Sequence, residues 1–106
     1  VKERLHASGV RFVDGGKPVR RVAVGGGSCG SMLADAFAAG CDTFVTADVK
    51  YDQFLEAKAL GLTLMDAGHY ATEQVVCPKI VQYLSLKFPG IPVQVSQGHR
   101  EVYANV

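Results

Sequence analysis

The apolar and polar positions of the chain follow two alternating periods, which predict strands and helices in turn. Short runs rich in β-branched residues and bounded by turn residues predict strands at 19–24, 43–46, 62–65 and 91–95. Apolar positions at helical spacing predict helices at 32–37, 51–60 and 70–88. Extended segments are also expected at 10–13 and 102–106, after the tail of a leading helix that ends at Gly9.

Turn residues mark the ends of the predicted helices. Gly40 and Gly61 follow the first two as C-terminal caps, and Pro89-Gly90 stops the third. Pro78 interrupts this third helix, because proline lacks the backbone donor that a helix interior needs. The helix therefore either kinks there or restarts with Pro78 in its first turn.

This alternation predicts an α/β fold. Strands that alternate with helices form βαβ units with right-handed crossovers, so we expect a three-layer architecture, a mostly parallel sheet with helices on both faces. With 106 residues the chain has the length of one domain. The prediction is a single α/β domain over 1–106.

Composition and charge limit the classes of protein to which the chain can belong. Hydrophobic residues make up 48% and charged residues 20% of the chain, as in globular proteins. A net charge of +1 gives no electrostatic case for nucleic acid, and the basic group at 17–21 is expected to be a solvated strand edge. No apolar run is long enough to span a bilayer, and no signal peptide is expected in this sequence. Because the chain begins at Val1, we expect processing or a piece of a longer protein.

The three cysteines have no metal-site or disulfide spacing. Reduced thiols, and hence a cytoplasmic location, are the expectation. Cys41 and Cys77 are predicted as small core residues. Cys29 lies in a Gly-rich turn, where it is either inert or a reactive thiol favoured by backbone N–H groups.

Polar and Gly-rich residues follow each of the three central strands. Ligands bind at the carboxyl ends of strands in open parallel sheets, so these segments predict one shared functional edge. The residues concerned are the turn at 25–31, then Asp48, Lys50 and Tyr51, then Asp66, Gly68, His69 and Glu73.

The turn at 25–31 matches a dinucleotide-binding pattern. Its glycines have the G-x-G-x-x-G spacing, and Asp48 follows about 20 residues after them, where such folds place a ribose-binding acid. Two other interpretations remain open: a tight strand-to-helix turn in which Ser28 caps the helix, or an anion site at the helix N-terminus. No G-K-[ST] follows, which excludes a P-loop.

His69 and Glu73 are the candidate metal ligands. They lie four residues apart, so they share one helix face. Imidazole and carboxylate together suit zinc, iron, nickel or manganese, although the same pair also forms simple surface contacts. Two ligands do not complete a coordination sphere. His6 and His99 are the remaining histidines, and nothing in the sequence brings either to this site, so both are expected to face solvent.

Three segments carry a family resemblance. In order and spacing, 22–28 (VAVGGGS), 45–51 (VTADVKY) and 66–73 (DAGHYATE) are similar to those of the Nif-three-like dinuclear-metal proteins, also described as GTP cyclohydrolase I type 2-like. The resemblance covers nearly the whole chain. It implies the C-terminal part of a longer protein with two α/β halves.

The resemblance also implies a site and an assembly. Two divalent metal ions lie between the halves, inside a toroidal homohexamer, with His69 and Glu73 as ligands and a His-His pair and an Asp supplied by the N-terminal half. The surrounding cavity is expected to be lined by Gly26, Gly27, Ser28, Asp48, Lys50, Tyr51 and Asp66. Catalytic residues are not assigned. Ala47, Asp52 and Cys29 depart from the usual family pattern, which leaves the small-molecule ligand open.

The sequence features are compatible with three functions. The first is a metal-dependent hydrolase that acts on a nucleotide or phosphoester through a metal-generated hydroxide. The second is a non-catalytic metal-binding scaffold or regulatory partner in an oligomer. The third is a dinucleotide-binding domain. For these 106 residues alone, weak or no metal binding is expected, since only two ligands are present.

Overall fold

A computed structural model describes all residues, 1–106, and contains one four-stranded sheet. The strands are β1 (Arg11–Val13), β2 (Val22–Val24), β3 (Thr43–Thr46) and β4 (Thr63–Asp66). Their order across the sheet is β1-β4-β3-β2. β2, β3 and β4 run parallel, and β1 is antiparallel to β4. The predicted α/β fold with a mostly parallel sheet is confirmed.

Five α-helices and two short 3-10 turns precede, connect or follow the strands. The helices are α1 (Lys2–Leu5), α2 (Leu33–Ala38), α3 (Tyr51–Leu60), α4 (His69–Glu73) and α5 (Cys77–Lys87). One 3-10 turn, Gly30–Met32, precedes α2, and the other, Gln74–Val76, separates α4 from α5. None of these helices has the length and apolar character needed to cross a membrane.

The hydrophobic core lies between the sheet and helices α2 and α3. Phe44 of β3 and Leu64 of β4 are register partners on one face of the sheet, and both are at most 2% exposed. Leu33 of α2 and Ala57 of α3 pack in the same cluster. Right-handed crossovers between neighbouring parallel strands place both helices on the same face. This packing fixes the carboxyl ends of β2, β3 and β4 along one edge.

The last part of the chain lies outside this core. Helix α5 has no buried residue, and its apolar side chains Ile80, Tyr83 and Leu86 are exposed. The radius of gyration is 16.1 Å, compared with about 13 Å for a compact chain of this length. The chain is therefore elongated, with α5 extending away from the sheet.

The strands predicted at 91–95 and 102–106 are wrong, because neither segment is extended in a ladder. Val93 and Val95 line an apolar pocket with Ile80 and Leu84 of α5 instead. The alternating apolar residues are thus satisfied by packing on a helix. Meanwhile β1 occupies the position beside β4.

Smaller differences have local causes. α1 ends at Leu5 and not at Gly9, because His6 adopts the left-handed conformation that closes a helix. β2 begins only at Val22, since the amides of Arg20 and Arg21 donate to the Asp42 carboxylate. Pro78 lies in the first turn of α5, so the predicted restart is the correct alternative.

Candidate metal centre

Loops from two strands bring three ionisable side chains together at the carboxyl edge of the sheet. Asp48 follows β3, and His69 begins α4 directly after β4. The Nδ1 atom of His69 lies 2.5 Å from Oδ2 of Asp48, and Nε2 lies 3.1 Å from Oε1 of Glu73. The His69 side chain is 47% exposed. Both ring nitrogens are therefore in contact with a carboxylate while the group remains open to solvent.

These carboxylates raise the pKa of His69 above its ordinary value. The largest cause is the hydrogen bond to Asp48. Burial comes second and lowers the pKa, and the charges of Glu73 and Asp48 raise it further. A raised pKa means that the metal-free site favours the imidazolium form. A metal ion at Nε2 has to displace that proton.

The raised pKa predicts a pH dependence of stability in the metal-free protein. Protonated His69 adds stability that is fully present below the ordinary pKa of about 6.5 and is lost as pH rises through the raised value. The Tm of wild type relative to His69→Asn should therefore decline over that range. Thermal melts of both metal-free proteins from about pH 5 to 9 measure this difference. A difference that stays constant with pH would contradict the shift.

Gly27 approaches the ligand pair more closely than any side chain would allow. It has a positive φ of 68°, and a Cβ atom at this position would meet Oε1 of Glu73 and lie 3.1 Å from Nε2 of His69. Its amide donates to Oγ1 of Thr72 at 2.9 Å, and its carbonyl accepts from Oγ1 of Thr46 at 2.9 Å. The glycine turn is thus tied to both β3 and α4 and lies directly against the His69 and Glu73 side chains.

Asp66 holds the two functional loops in place. Its side chain is 6% exposed, and it accepts hydrogen bonds from the Val49 amide at 3.0 Å, the Gly68 amide at 3.1 Å and the Arg11 guanidinium. Arg11 lies opposite Asp66 in the β1–β4 register, which explains their pairing. One carboxylate therefore fixes the residue after Asp48 and the residue before His69.

A comparison with sequence families decides the affiliation. A profile of the family described as Duf34/NIF3 (NGG1p interacting factor 3) matches residues 1–101. The chain belongs to the Duf34/NIF3 family. The resemblance noted from the three motifs is confirmed.

Curated relatives of this Duf34/NIF3 chain include bacterial proteins named "GTP cyclohydrolase 1 type 2 homolog". The one from Bacillus subtilis is 35% identical over 101 residues, which cover 92% of this chain and 27% of the relative. The one from Nostoc is 42% identical over 66 residues, or 62% of this chain and 25% of the relative. The chain thus spans about a quarter of the length of these relatives.

Solved structures agree with the Duf34/NIF3 assignment. A hypothetical protein of Staphylococcus aureus matches with a TM-score of 0.89 and 31% identity, over 99% of this chain and 36% of that one. A Bacillus cereus protein related to NIF3 matches with a TM-score of 0.78 and 32% identity, over 99% of this chain and 30% of that one. The α/β fold is therefore shared along the whole chain.

The donor atoms fit a metal ion as part of a ligand set. Nε2 of His69 and Oε1 of Glu73 are 3.1 Å apart, close to the separation of two neighbouring ligands with bonds of about 2.0–2.2 Å to one ion. Gly27 leaves the space next to them free of side-chain atoms. No group of three or more His, Cys, Asp and Glu side chains in the chain is arranged to hold a metal. In this Duf34/NIF3 chain the set is therefore incomplete.

Two cavities lie near this edge of the sheet. One, of about 480 Å³, is lined by His69 and Glu73 together with His99, Arg100 and Tyr103 from the C-terminal tail. The tail is held there by the Tyr70 hydroxyl, which donates to the His99 carbonyl at 3.1 Å. A second cavity of about 370 Å³ is lined by several polar residues, Arg11, Asp48, Asp66 and Tyr103 among them, and Tyr103 also lines the first.

The tail residues and Arg11 were missed by sequence reasoning. His99 is exposed, as expected, yet it lines the same cavity as His69. The sequence carries no signal for this, because the tail has no motif and lies far along the chain from α4. Arg11 is a single basic residue in a predicted extended segment, and only its register opposite Asp66 reveals its role.

The other residues predicted to line the cavity differ in their contacts and exposure. Gly26 lies beside α4, where its added Cβ would approach the Thr72 carbonyl to 3.2 Å. Ser28 is exposed and makes no helix-capping hydrogen bond, so the interpretation in which it caps the helix is wrong. Lys50 and Tyr51 are exposed at the start of α3 and line neither of the two cavities. Their role in ligand binding stays a prediction.

The cysteines differ from the expectation of core positions. Cys41 and Cys77 are free and only half-buried, as is Cys29. Cys29 packs against the core cluster, and its thiol donates to the Gly26 carbonyl at 3.3 Å. This contact stabilises the glycine turn and gives the thiol a structural role.

The geometry disfavours the dinucleotide interpretation of the glycine turn. A pyrophosphate needs free backbone N–H groups, but the Gly27 amide already donates to Thr72 and the Cys29 amide to Thr46. The carboxylate of Glu73 lies against Gly27 and would repel a phosphate. The acid expected to bind a ribose, Asp48, is bonded to His69.

Proposed function

We propose that this chain supplies two ligands, His69 and Glu73, to a dinuclear divalent-metal site, and that the remaining ligands come from a part of a longer protein outside these residues. The observation that carries the proposal is the 3.1 Å separation of Nε2 and Oε1, at a point that the Gly27 backbone approaches too closely for any side chain. The short span of the chain within its relatives supports a contribution from further residues.

The donor set limits the metal. One imidazole nitrogen and one carboxylate oxygen are borderline ligands, which suit zinc, iron, nickel or manganese. A metal ion takes four or more ligands, so these 106 residues alone should bind such ions weakly or not at all. The proposal includes a homohexameric assembly and a cytoplasmic location, where three free cysteines remain reduced.

We further propose that the complete site is a hydrolase acting on a nucleotide or phosphoester. When bound, a pair of divalent ions supplies hydroxide at neutral pH by lowering the pKa of water. The chain's own contribution is orientation: Glu73 and His69 present one donor atom each, and Asp66 fixes the loops at Asp48 and before His69. The 480 Å³ cavity has the size of a small-molecule site, and Arg100 and His99 offer positive charge and hydrogen bonds to a phosphate.

A non-catalytic metal-binding scaffold is the second candidate. It is favoured by the mutual pairing of His69, Asp48 and Glu73, which leaves none of these three side chains free as a general base. The two candidates share the metal site and differ in turnover. A screen of nucleotides and phosphoesters therefore separates them once metal binding is established.

Substitution of the two ligands tests the proposed function. In the full-length protein, His69→Asn and Glu73→Gln should each lose at least one bound ion, because each removes one donor from the site. Elemental analysis after dialysis measures the metal content per chain. Activity, where wild type shows it, should fall in parallel.

Matched substitutions away from the site provide the control. His6→Asn and Glu56→Gln make the same chemical changes at exposed positions, and both should keep the wild-type metal content. Asparagine suits position 6, where φ is +52°. Full metal content in His69→Asn and Glu73→Gln would refute the proposed ligand role.

A further inference from the structure

We infer that Asp48 is a positioning residue of this site, whose carboxylate accepts a hydrogen bond from Nδ1–H of His69 and so directs the Nε2 lone pair toward the space beside Glu73. The inference rests on the proposed metal role of His69 and adds to it. It assigns to Asp48 a contact with the proposed metal ligand His69 and not with a substrate.

The contact has the geometry of a ligand-orienting pair. Oδ2 of Asp48 lies 2.5 Å from Nδ1, while Glu73 faces the opposite ring nitrogen at 3.1 Å. A neutral imidazole has one N–H, and the partner of one nitrogen decides which nitrogen keeps a free lone pair. The closer carboxylate therefore selects the Nδ1–H form, which leaves Nε2 able to bind a metal.

The backbone at Asp48 is clamped in a conformation that points this side chain outward. Its φ is +52°, in the left-handed region that favours glycine. The residues on either side, Ala47 and Val49, are 0% and 3% exposed. The Ala47 amide donates to the Gly27 carbonyl and the Val49 amide to Asp66.

Because its neighbours hold the backbone at position 48, the role of the Asp48 side chain can be tested separately from the fold. A glycine would adopt the same backbone with less strain, so the fold itself does not need a side chain at position 48. The carboxylate makes its one side-chain hydrogen bond to His69. Removal of the carboxylate should therefore change the orientation and proton position of His69 and leave the fold intact.

The test compares Asp48→Gly and Asp48→Asn with wild type in the full-length protein. Glycine removes the carboxylate and relieves the backbone, whereas asparagine keeps a neutral acceptor and tolerates the left-handed conformation. We expect Zn²⁺ affinity to fall about 10- to 100-fold in Asp48→Gly and by less in Asp48→Asn. Competition with a chelator measures the affinity. Asp52→Asn, at an exposed position on α3, is the matched control and should bind as wild type.

Two further readouts exclude a merely structural role. The Tm of metal-free Asp48→Gly, measured at a pH above the titration of His69, should stay close to that of wild type, because the pairing of imidazolium with carboxylate is absent there and the relieved strain offsets the lost hydrogen bond. In metal-free protein carrying ¹⁵N-labelled histidine, at a pH above the titration of His69, the wild-type ring should hold its proton on Nδ1. Asp48→Gly should move part of it to Nε2.

The outcomes separate this inference from the proposed function. If Asp48→Gly binds Zn²⁺ within twofold of wild type, or if the tautomer does not change, the inference is overturned while the ligand role of His69 stands. If His69→Asn keeps its full metal content, the proposed function fails, and the positioning role fails with it. Weakened Zn²⁺ binding, a changed tautomer and an undiminished Tm together support the inference.

Discussion

Replacing Gly27 with alanine is expected to abolish metal retention while leaving the protein folded. The new Cβ would meet Oε1 of Glu73 and approach Nε2 of His69 to 3.1 Å, at the two donor atoms of the proposed metal site. Glu73 is half exposed and flexible, so it can rotate away and relieve the clash. The remaining cost is the positive φ of 68° at a non-glycine residue, about 1–2 kcal/mol.

Gly16 offers a matched control for this substitution. It has a positive φ of 74° in an exposed turn, and a Cβ there would have no neighbour within 4 Å. Gly16→Ala should therefore cause a similar loss of stability and no loss of metal. Elemental analysis and urea denaturation of both variants in the full-length protein measure the two effects. Equal metal content in Gly27→Ala and Gly16→Ala would contradict the proposed position of the ion.

Replacing Asp66 with alanine is expected to cost about 2–4 kcal/mol of unfolding free energy and to weaken metal binding as well. The substitution leaves the buried Val49 amide without a partner and removes the acceptor of the Gly68 amide. Arg11 is 67% exposed, so solvent compensates much of its lost ion pair. The larger part of the cost therefore comes from the backbone donors, above all the buried Val49 amide.

The effect on metal binding follows from the position of those donors. Val49 follows Asp48 and Gly68 precedes His69, so the Asp66 carboxylate holds both ends of the Asp48–His69 contact. Without it the two loops separate, and His69 loses its fixed orientation. Urea denaturation and Zn²⁺ affinity of Asp66→Ala measure both losses.

Asp42 is the control for a carboxylate that binds backbone amides far from the site. It accepts from the amides of Arg20 and Arg21, and these hydrogen bonds, that of Arg21 foremost, lower the pKa of Asp42. Asp42→Ala should destabilise less, because the group is open to solvent, and it should leave metal affinity unchanged. A smaller loss of stability in Asp66→Ala than in Asp42→Ala would be inconsistent with the anchoring role.

Local patterns in the sequence determined much of the fold and the family. The bounds predicted for β3 and α3 agree with the structure, because a buried β-branched run and a helix closed by Gly61 depend on neighbouring residues. The same holds for the restart at Pro78. The three motifs identified the family and singled out His69 and Glu73, since a four-residue spacing fixes a shared helix face.

The long-range contacts could be known only from the tertiary structure. Alternating apolar residues predicted strands at 91–95 and 102–106, but a strand forms only where a partner edge accepts its hydrogen bonds, and these segments lie against α5 and the site instead. The pairing of β1 with β4 brings Arg11 to Asp66, 55 positions later in the chain. No local period encodes such a contact.

The sequence alone determined which residue types lie at the functional edge, and the tertiary structure decided what each one contacts. His69 and Glu73 were recognisable from spacing and motif. The left-handed backbone at Asp48, the approach of Gly27 to Glu73 and the double anchoring by Asp66 arise only when three loops are packed together. Spacing along a helix is a local property of the backbone, whereas distances between loops are set by the packing of the strands that carry them.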